Sequence, residues 1–388
     1  MSSRPESPCA PFLVCTGMLI AVGALMVYSA SITARPTEAE QIYLSRHLIF
    51  LGCAVLAGSV AAHMPASFWE RTAHLWFIAT IALLVAVLVP GIGSRVNGAQ
   101  RWIRLGPLSI QPSETAKLTL TLILAKLLSH REGLPLGAFE QRLQVLVPMA
   151  ITTFLVLIEP DMGTTVFLLL TCALVLYFAG WPGREFVMAA GIAVPALGML
   201  LILRPYQWRR IEGFVTAWVA PESAPYQVRQ SLTTLGVGGG WGTGLGSGWQ
   251  KLSFLPEANT DFVFAVIGEE LGLMGTLGVV ALWCGFLLSG LMLLQRVAHR
   301  RFEFIVGSTL LTQLVLQATI NVGVVTAMLP PKGISHPFIS YGGSSLLVSC
   351  LAVGMIVSLS RGVTREAVRQ PSDCETVAEG PDACMATH

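Results

Sequence analysis

PFLVCTGMLIAVGALMVYSA, residues Pro11–Ala30, runs for twenty positions without one charged side chain. A helix rises about 1.5 Å per residue, so such a run covers about 30 Å, the thickness of a bilayer's hydrocarbon core. Runs of this kind recur along the chain, near 11–31, 45–64, 72–89, 113–130, 143–159, 162–179, 185–203, 262–295, 304–328 and 341–360. The composition agrees: of 388 residues, 53% are hydrophobic and 12% charged, against about 25% charged in a soluble domain. One water-soluble core could not bury that much apolar surface. The expected fold is all-α, a polytopic bundle of about ten transmembrane helices over residues 11–361, with a short segment at 1–10 and a polar tail at 362–388 that lacks apolar periodicity and is expected to be disordered.

Ten spans place both termini on one side. Arg71, Arg131, Arg142, Arg184, Arg296, Arg300, Arg301, Arg361, Arg365 and Arg369 follow the even-numbered spans, which makes that side cytoplasmic by the positive-inside rule. The opposite side is also basic, with Arg95, Arg101 and Arg104 in a loop at about 90–112 and Arg204, Arg209, Arg210, Arg229 and Lys251 in a long extracytoplasmic loop at about 204–261. Cations outside, against the rule, suit an anionic ligand. A net charge of +2 carries no nucleic-acid signal. Cys15, Cys53, Cys172, Cys284 and Cys350 sit in apolar runs and no CxxC pair occurs, so no zinc site is read.

The polar segments carry the chemistry. NGAQRWIRLGP (Asn97–Pro107) opens on an Asn-Gly turn signal and precedes QPSETAK (Gln111–Lys117), in which Pro112 suits a first helical turn. Glu114 and Lys117, three apart, share a helix face. They are either an ion pair anchoring the helix at the interface or the wall of a substrate cavity, and adjacent Arg101, Trp102 and Arg104 favour the cavity. An indole beside guanidinium groups suits a sugar carried on pyrophosphate.

EPDMGTT (Glu159–Thr165) puts carboxylates between two spans, where ionisable groups are costly and functional by default; Asp161 also fits a plain polar turn. GVGGGWGTGLGSG (Gly236–Gly248) is neither a P-loop nor a dinucleotide fingerprint. It reads as a tightly folded re-entrant loop, with phosphate contact by its amides left open. LPEANTDFVF (Leu255–Phe264) places Asp261 at the start of a span behind a basic, glycine-rich loop, as a helix cap or, better supported by the converging cations, as a general base. Glu269 and Glu270 lie two turns deeper. Gln313, Gln317 and Asn321 recur every four residues as one polar stripe, which predicts hydrogen bonds between helices. LPPKGISHPFISYGGSS (Leu329–Ser345) holds one cation, Lys332, and a lone loop histidine, His336.

In family order, GAQRWIRLG with QPSETAKL, EPDMGTT, GLGSGWQKLSFLPEANTDFVFAVIGEELG and LPPKGISHPFISYGGSS resemble the SEDS family of bacterial membrane proteins (shape, elongation, division and sporulation) over nearly all of residues 15–361. The resemblance implies a ten-helix bundle in the bacterial inner membrane and peptidoglycan glycosyltransfer from lipid II. It also implies a class B penicillin-binding protein as transpeptidase partner, among other division-complex membrane proteins. The Lys-Gly of LPPKGISHPF and the GEELG run look more like the division branch than the elongation branch. Carried over residue by residue, the catalytic aspartate falls on Asp261, the tryptophan on Trp102, the cavity pair on Glu114 and Lys117, and the PDxGT aspartate on Asp161. Asn259, His336 and Glu159 depart from the pattern, where His, Leu and Gln are common.

On this reading Asp261 takes the proton of an acceptor hydroxyl, while Lys117, Arg101 and Arg210 stabilise the departing pyrophosphate, together with a divalent cation, Mg or Mn, for which the sequence assigns no ligands. Arg101, Asp161, Arg210 and Lys332 complete the expected substrate-binding set. The rivals are a lipid II flippase, which would place its polar residues at mid-bilayer, and a scaffold, which leaves Asp261 and Trp102 without a role.

Overall fold

The computed structural model describes residues 9–31, 38–96, 99–105, 108–130, 139–249 and 257–361. The Asn97-Gly turn, Arg131, Lys251 and the tail from 362 lie outside the described residues. Ten helices answer to the ten apolar runs: α1 (Ala10–Ser31), α2 (Glu38–His63), α3 (Ala66–Leu88), α4 (Pro112–Ser129), α5 (Phe139–Ile158), α6 (Met162–Phe178), α7 (Gly183–Ile202), α10 (Val263–Gln295), α11 (Arg301–Val325) and α12 (Gly343–Ser360). Among the described residues, seven of them are long and apolar enough to cross a membrane. The other three fall just short for visible reasons. The apolar parts of α5 and α6, Arg142–Ile158 and Met162–Phe178, are short, and α4 carries Glu114, Lys117 and Lys126 within its length.

Two connections hold structure that apolar runs do not announce. In the loop at 90–112 a three-stranded antiparallel sheet forms from β1 (Gly93–Val96), β2 (Ala99–Leu105) and β3 (Leu108–Ile110), in the order β1-β2-β3. Ser94 pairs with Trp102 and Arg104 with Ser109. The loop at 204–261 contains α8 (Pro205–Val219), a 3₁₀ turn and α9 (Tyr226–Gly238). Three bonds fasten α8 and α9 to the end of α11 and the segment after it: Trp218 Nε1 to Ala327 O at 3.0 Å, Arg210 to Pro331 O at 3.2 Å and Ser231 Oγ to Val325 O at 2.8 Å.

In a bilayer, helices associate through close packing and hydrogen bonds rather than by escaping water. α2 and α12 meet where a Cβ on Gly354 would fall 2.1 Å from Gly58 O, so small residues let the two backbones touch. α11 and α12 are central and largely buried, whereas α7 buries no side chain. α10 breaks at Gly272, whose φ of 67° and ψ of −163° no helix contains. The glycine-rich segment repairs the break. Thr243 N and Gly244 N donate to Glu269 O and Glu270 O, at 2.9 and 3.0 Å, while Leu273 N and Met274 N donate to Gly239 O and Gly240 O. These loop amides are spent within the protein, and the backbone stays satisfied where the helix cannot satisfy it.

Candidate active site

The even-numbered crossings α4, α6 and α12 begin at the same end of the bundle, and their first turns, with the segment leading into α10, surround one cavity. Trp102, Gln111, Glu114, Lys117, Thr164, Phe167, Thr260, Asp261, Gln317, Gly333, Tyr341 and Ser345 are among the residues lining it. Helix starts present unpaired amides and the positive ends of their dipoles, so the wall is suited to an anionic group before any side chain is counted.

Lys117 Nζ is the best-anchored cation of the wall. It lies 2.8 Å from Glu114 Oε2 and 3.0 Å from Gln317 Oε1, with the Phe167 ring 5.0 Å below. The three-residue spacing on α4 produces the pair, and the polar stripe of α11 supplies the glutamine. Gln317 Nε2 continues to Ser335 O at 2.9 Å. Deeper in the bundle, Gln313 bonds Thr121 and Thr171 at 3.1 and 3.0 Å. Trp102 reaches the cavity from β2. The sheet is tied to α12 through Ser344, whose hydroxyl donates to Ser109 O at 2.8 Å and accepts from Gln111 N at 3.2 Å.

Across the cavity, Asp261 precedes α10. The cap of that helix is Phe262, with no side-chain bond, so the aspartate does not serve as the helix cap. Burial pushes its carboxyl up to about 7, and the nearby Glu257 adds to the rise; Arg210 and Arg101 pull the other way. A Cβ on Gly333 would sit 3.1 Å from Asp261 Oδ2, which shows how closely the 326–342 segment backs the carboxylate.

The structure thus brings together four of the eight residues expected to catalyse or bind substrate, Trp102, Glu114, Lys117 and Asp261. The remaining four stand around them. Arg101 and Asp161 form an ion pair at 3.0 Å beside the cavity, and Asp161 also caps α6 by accepting from Thr164 N at 3.1 Å. Arg210 reaches over from α8. Lys332, next to Gly333, is held below the usual lysine range by burial, against the opposing pull of Asp161. Glu159, beside that pair, is fully buried with neither carboxylate oxygen hydrogen-bonded. Burial and Asp161 raise its carboxyl to about 8, with Arg101 opposing. Gln317 and Tyr341 join the wall without having been assigned to it; the stripe on α11 and the dense turn before α12 were their only signals in the sequence.

Among the described residues no three His, Cys, Asp or Glu side chains come together as a metal cage. The carboxylates lining the cavity are Glu114, committed to Lys117, and Asp261.

Comparison with known proteins places this arrangement. The chain is 37% identical over 354 residues to a Saccharophagus degradans protein named "Probable peptidoglycan glycosyltransferase FtsW", covering 90% of this chain and 91% of that one. It is 34% identical to stage V sporulation protein E of Bacillus subtilis, covering 93% and 99%. A chain from a solved peptidoglycan synthase complex, described as coordinating polymerization and crosslinking, superposes with a TM-score of 0.74 at 27% identity, covering 90% of this chain and 96% of that one. The Thermus thermophilus rod shape determining protein RodA superposes at 0.65 with 26% identity, covering 90% and 95%. The family model FTSW_RODA_SPOVE, described as cell cycle protein, matches residues 10–365, and with that match over nearly the whole described bundle the chain belongs to the FtsW, RodA and SpoVE family.

Proposed function

We propose that this multi-pass membrane protein is a peptidoglycan glycosyltransferase that polymerises lipid II at the outer face of the bacterial cytoplasmic membrane during septal synthesis. The observation that carries the reading is Asp261, a recessed carboxylate poised near neutrality, facing the Lys117–Glu114 pair in a cavity ringed by helix starts. The names of the relatives agree with it.

The acceptor is lipid II and the donor a glycan strand still on undecaprenyl pyrophosphate. As the acceptor hydroxyl attacks the anomeric carbon, its proton passes to Asp261. A carbon–oxygen bond forms on one face, and the bond from that carbon to the pyrophosphate oxygen breaks on the other, inverting the centre in one step. One carboxylate suffices, unlike the two of glycosidases. The pyrophosphate departs toward Lys117, Arg101, Arg210 and Lys332 and the helix starts, which stabilise the charge as it develops. Trp102 offers a face for a sugar. A divalent cation would be held chiefly by the phosphates it arrives with and would supply further positive charge to the departing group, with no side chain of the wall assigned to it.

The arginines after the even-numbered spans support cytoplasmic termini and an outward-facing cavity. A class B penicillin-binding protein is the proposed partner, in keeping with the synthase complex that the fold resembles.

The test is polymerisation of purified lipid II by the full chain with its transpeptidase, wild type against Asp261→Asn. Glycan from wild type and none from a folded mutant supports the assignment. Glycan from both discards Asp261 as the base. Glycan from neither, with lipid II moved across vesicles, turns the reading to a flippase.

A further inference from the structure

Three successive carbonyl oxygens are held in the segment that carries Asp261. Asn259 O accepts from Tyr341 N at 2.8 Å, Thr260 O from Ser340 Oγ at 2.5 Å and Asp261 O from Asn321 Nδ2 at 2.8 Å. Every donor comes from elsewhere in the chain, from α11 or from the segment leading into α12. The Ser340 hydroxyl is itself oriented, because it accepts from His336 N at 2.7 Å and so directs its hydrogen at Thr260. Asn321 gives its other amide hydrogen to Ile334 O at 2.9 Å. With both its neighbours carbonyls, the amide nitrogen must face them.

None of these bonds touches the carboxylate. A peptide unit is rigid, and each residue has two soft backbone torsions. Fixing the carbonyls on both sides of the Asp261 α-carbon therefore fixes the direction in which its side chain leaves the chain, and leaves only its own two torsions free. The arrangement carries a cost. Asn321 is 1% exposed, and its Oδ1 is buried without a partner, an unfavourable state for an acceptor that persists while both amide hydrogens are given to the loop.

We infer that Asn321 is a positioning residue for glycosyl transfer, aiming the Asp261 carboxylate at the acceptor hydroxyl by holding the Asp261 carbonyl, with Ser340 as its second. This rests on the reading of Asp261 as the base. Misplacing a reacting group by about 1 Å costs on the order of 100-fold in rate. The charged groups facing Asp261 are Glu257, Arg210 and Arg101, with Lys117 and Glu114 across the cavity, and none of them is altered by a change at 321.

The experiment measures lipid II polymerisation against pH for the full chain with its transpeptidase. It compares wild type, Asn321→Ala, Ser340→Ala, Asp261→Asn and the control Thr319→Ala, an exposed α11 side chain bonded to Val315 O of its own helix. Asn321→Ala is expected to lower kcat about 10- to 100-fold with KM within about twofold. Its acid limb is expected to move to lower pH, because a released segment admits water to the carboxylate. Ser340→Ala changes in the same direction by less, and Thr319→Ala matches wild type. The moved acid limb separates aim from a smaller folded fraction, which lowers the maximal rate without shifting the profile. Folded Asn321→Ala with wild-type kcat, or with a lower rate and an unmoved limb, overturns the inference. If Asn321→Ala does not fold, Ser340→Ala decides by the same criteria. An inactive Asp261→Asn beside normal Asn321 and Ser340 variants removes the positioning role alone. An active Asp261→Asn removes the base, and the positioning role with it.

Discussion

Lys117 Nζ lies 2.8 Å from Glu114 Oε2, and both side chains are nearly enclosed, 7% and 12% exposed. An ion pair at that depth is a weak source of stability while whole, but losing one member leaves a buried charge alone, at a cost of about 3–5 kcal/mol. Lys117→Met is therefore expected to lower the thermal midpoint by several degrees. The double variant Glu114→Gln with Lys117→Met should recover much of that loss. Lipid II polymerisation should stay at least about tenfold down in both. Melting curves and turnover on the same preparations check this, and a double variant with full activity would return the pair to the role of a helix anchor.

The pH dependence follows from the carboxyl at the centre. As the proposed base, Asp261 must be unprotonated to accept a proton, and its value is about 7, so turnover is expected to fall about tenfold per pH unit below that point. Removing the negative neighbour in Glu257→Gln lowers the value and moves the acid limb down. Removing the positive neighbour in Arg210→Ala raises it and moves the limb up. Each shift should be below about one unit and shrink in high salt, because these neighbours are partly solvated. Rate profiles at two ionic strengths read both signs.

Gly272 offers a sharp contrast within one helix. A Cβ there would lie 2.4 Å from Gly242 N and would need a φ of 67°, whereas one at Gly278 meets nothing within 4 Å. Gly272→Ala is expected to cost several kcal/mol through clash and backbone strain. Gly278→Ala should be neutral or stabilising by about 0.5–1 kcal/mol. Thermal unfolding in detergent compares the two, and equal midpoints would mean that the break in α10 is not fixed by this residue.

Glu159 yields a pH effect on stability. Its folded value of about 8 lies above the unfolded value of about 4.3, so between those limits the folded state holds a proton that the unfolded state has released. Stability contributed here falls as pH rises through that window and levels off above 8. Glu159→Gln, which cannot ionise, should show a shallower decline, with its advantage over wild type widening by several degrees from pH 5 to 8. Parallel melting curves for the two proteins would contradict this.

Apolar run length made the ten crossings legible, because a bilayer imposes one length on every span. The spacing of Glu114 and Lys117 likewise announced their pairing, a local consequence of helix geometry. Other features needed the folded chain. The sheet at 93–110 had only the Asn97-Gly turn as a signal, and strands this short show too little alternation to be read. α8 has Pro205 in its first turn and apolar residues at Trp208, Ile211, Val215 and Trp218, a helical spacing that run length does not register because the segment lacks the length of a span. Arg101 and Asp161 were each legible as polar residues of interest, but their pairing joins positions sixty apart. The stripe on α11 predicted bonds between helices. It could not tell that Asn321 would spend its amide on the backbone of Asp261, a contact fixed only by the tertiary fold.

The cavity wall runs from Trp102 to Ser345, and a ribosome makes it in that order. Tyr341, Gly342 and Ser345 belong to α12 and the turn before it, so they leave the ribosome after every other part of the wall. No nascent chain short of α12 contains the complete wall, and a partly inserted protein has no finished cavity in which to join sugars.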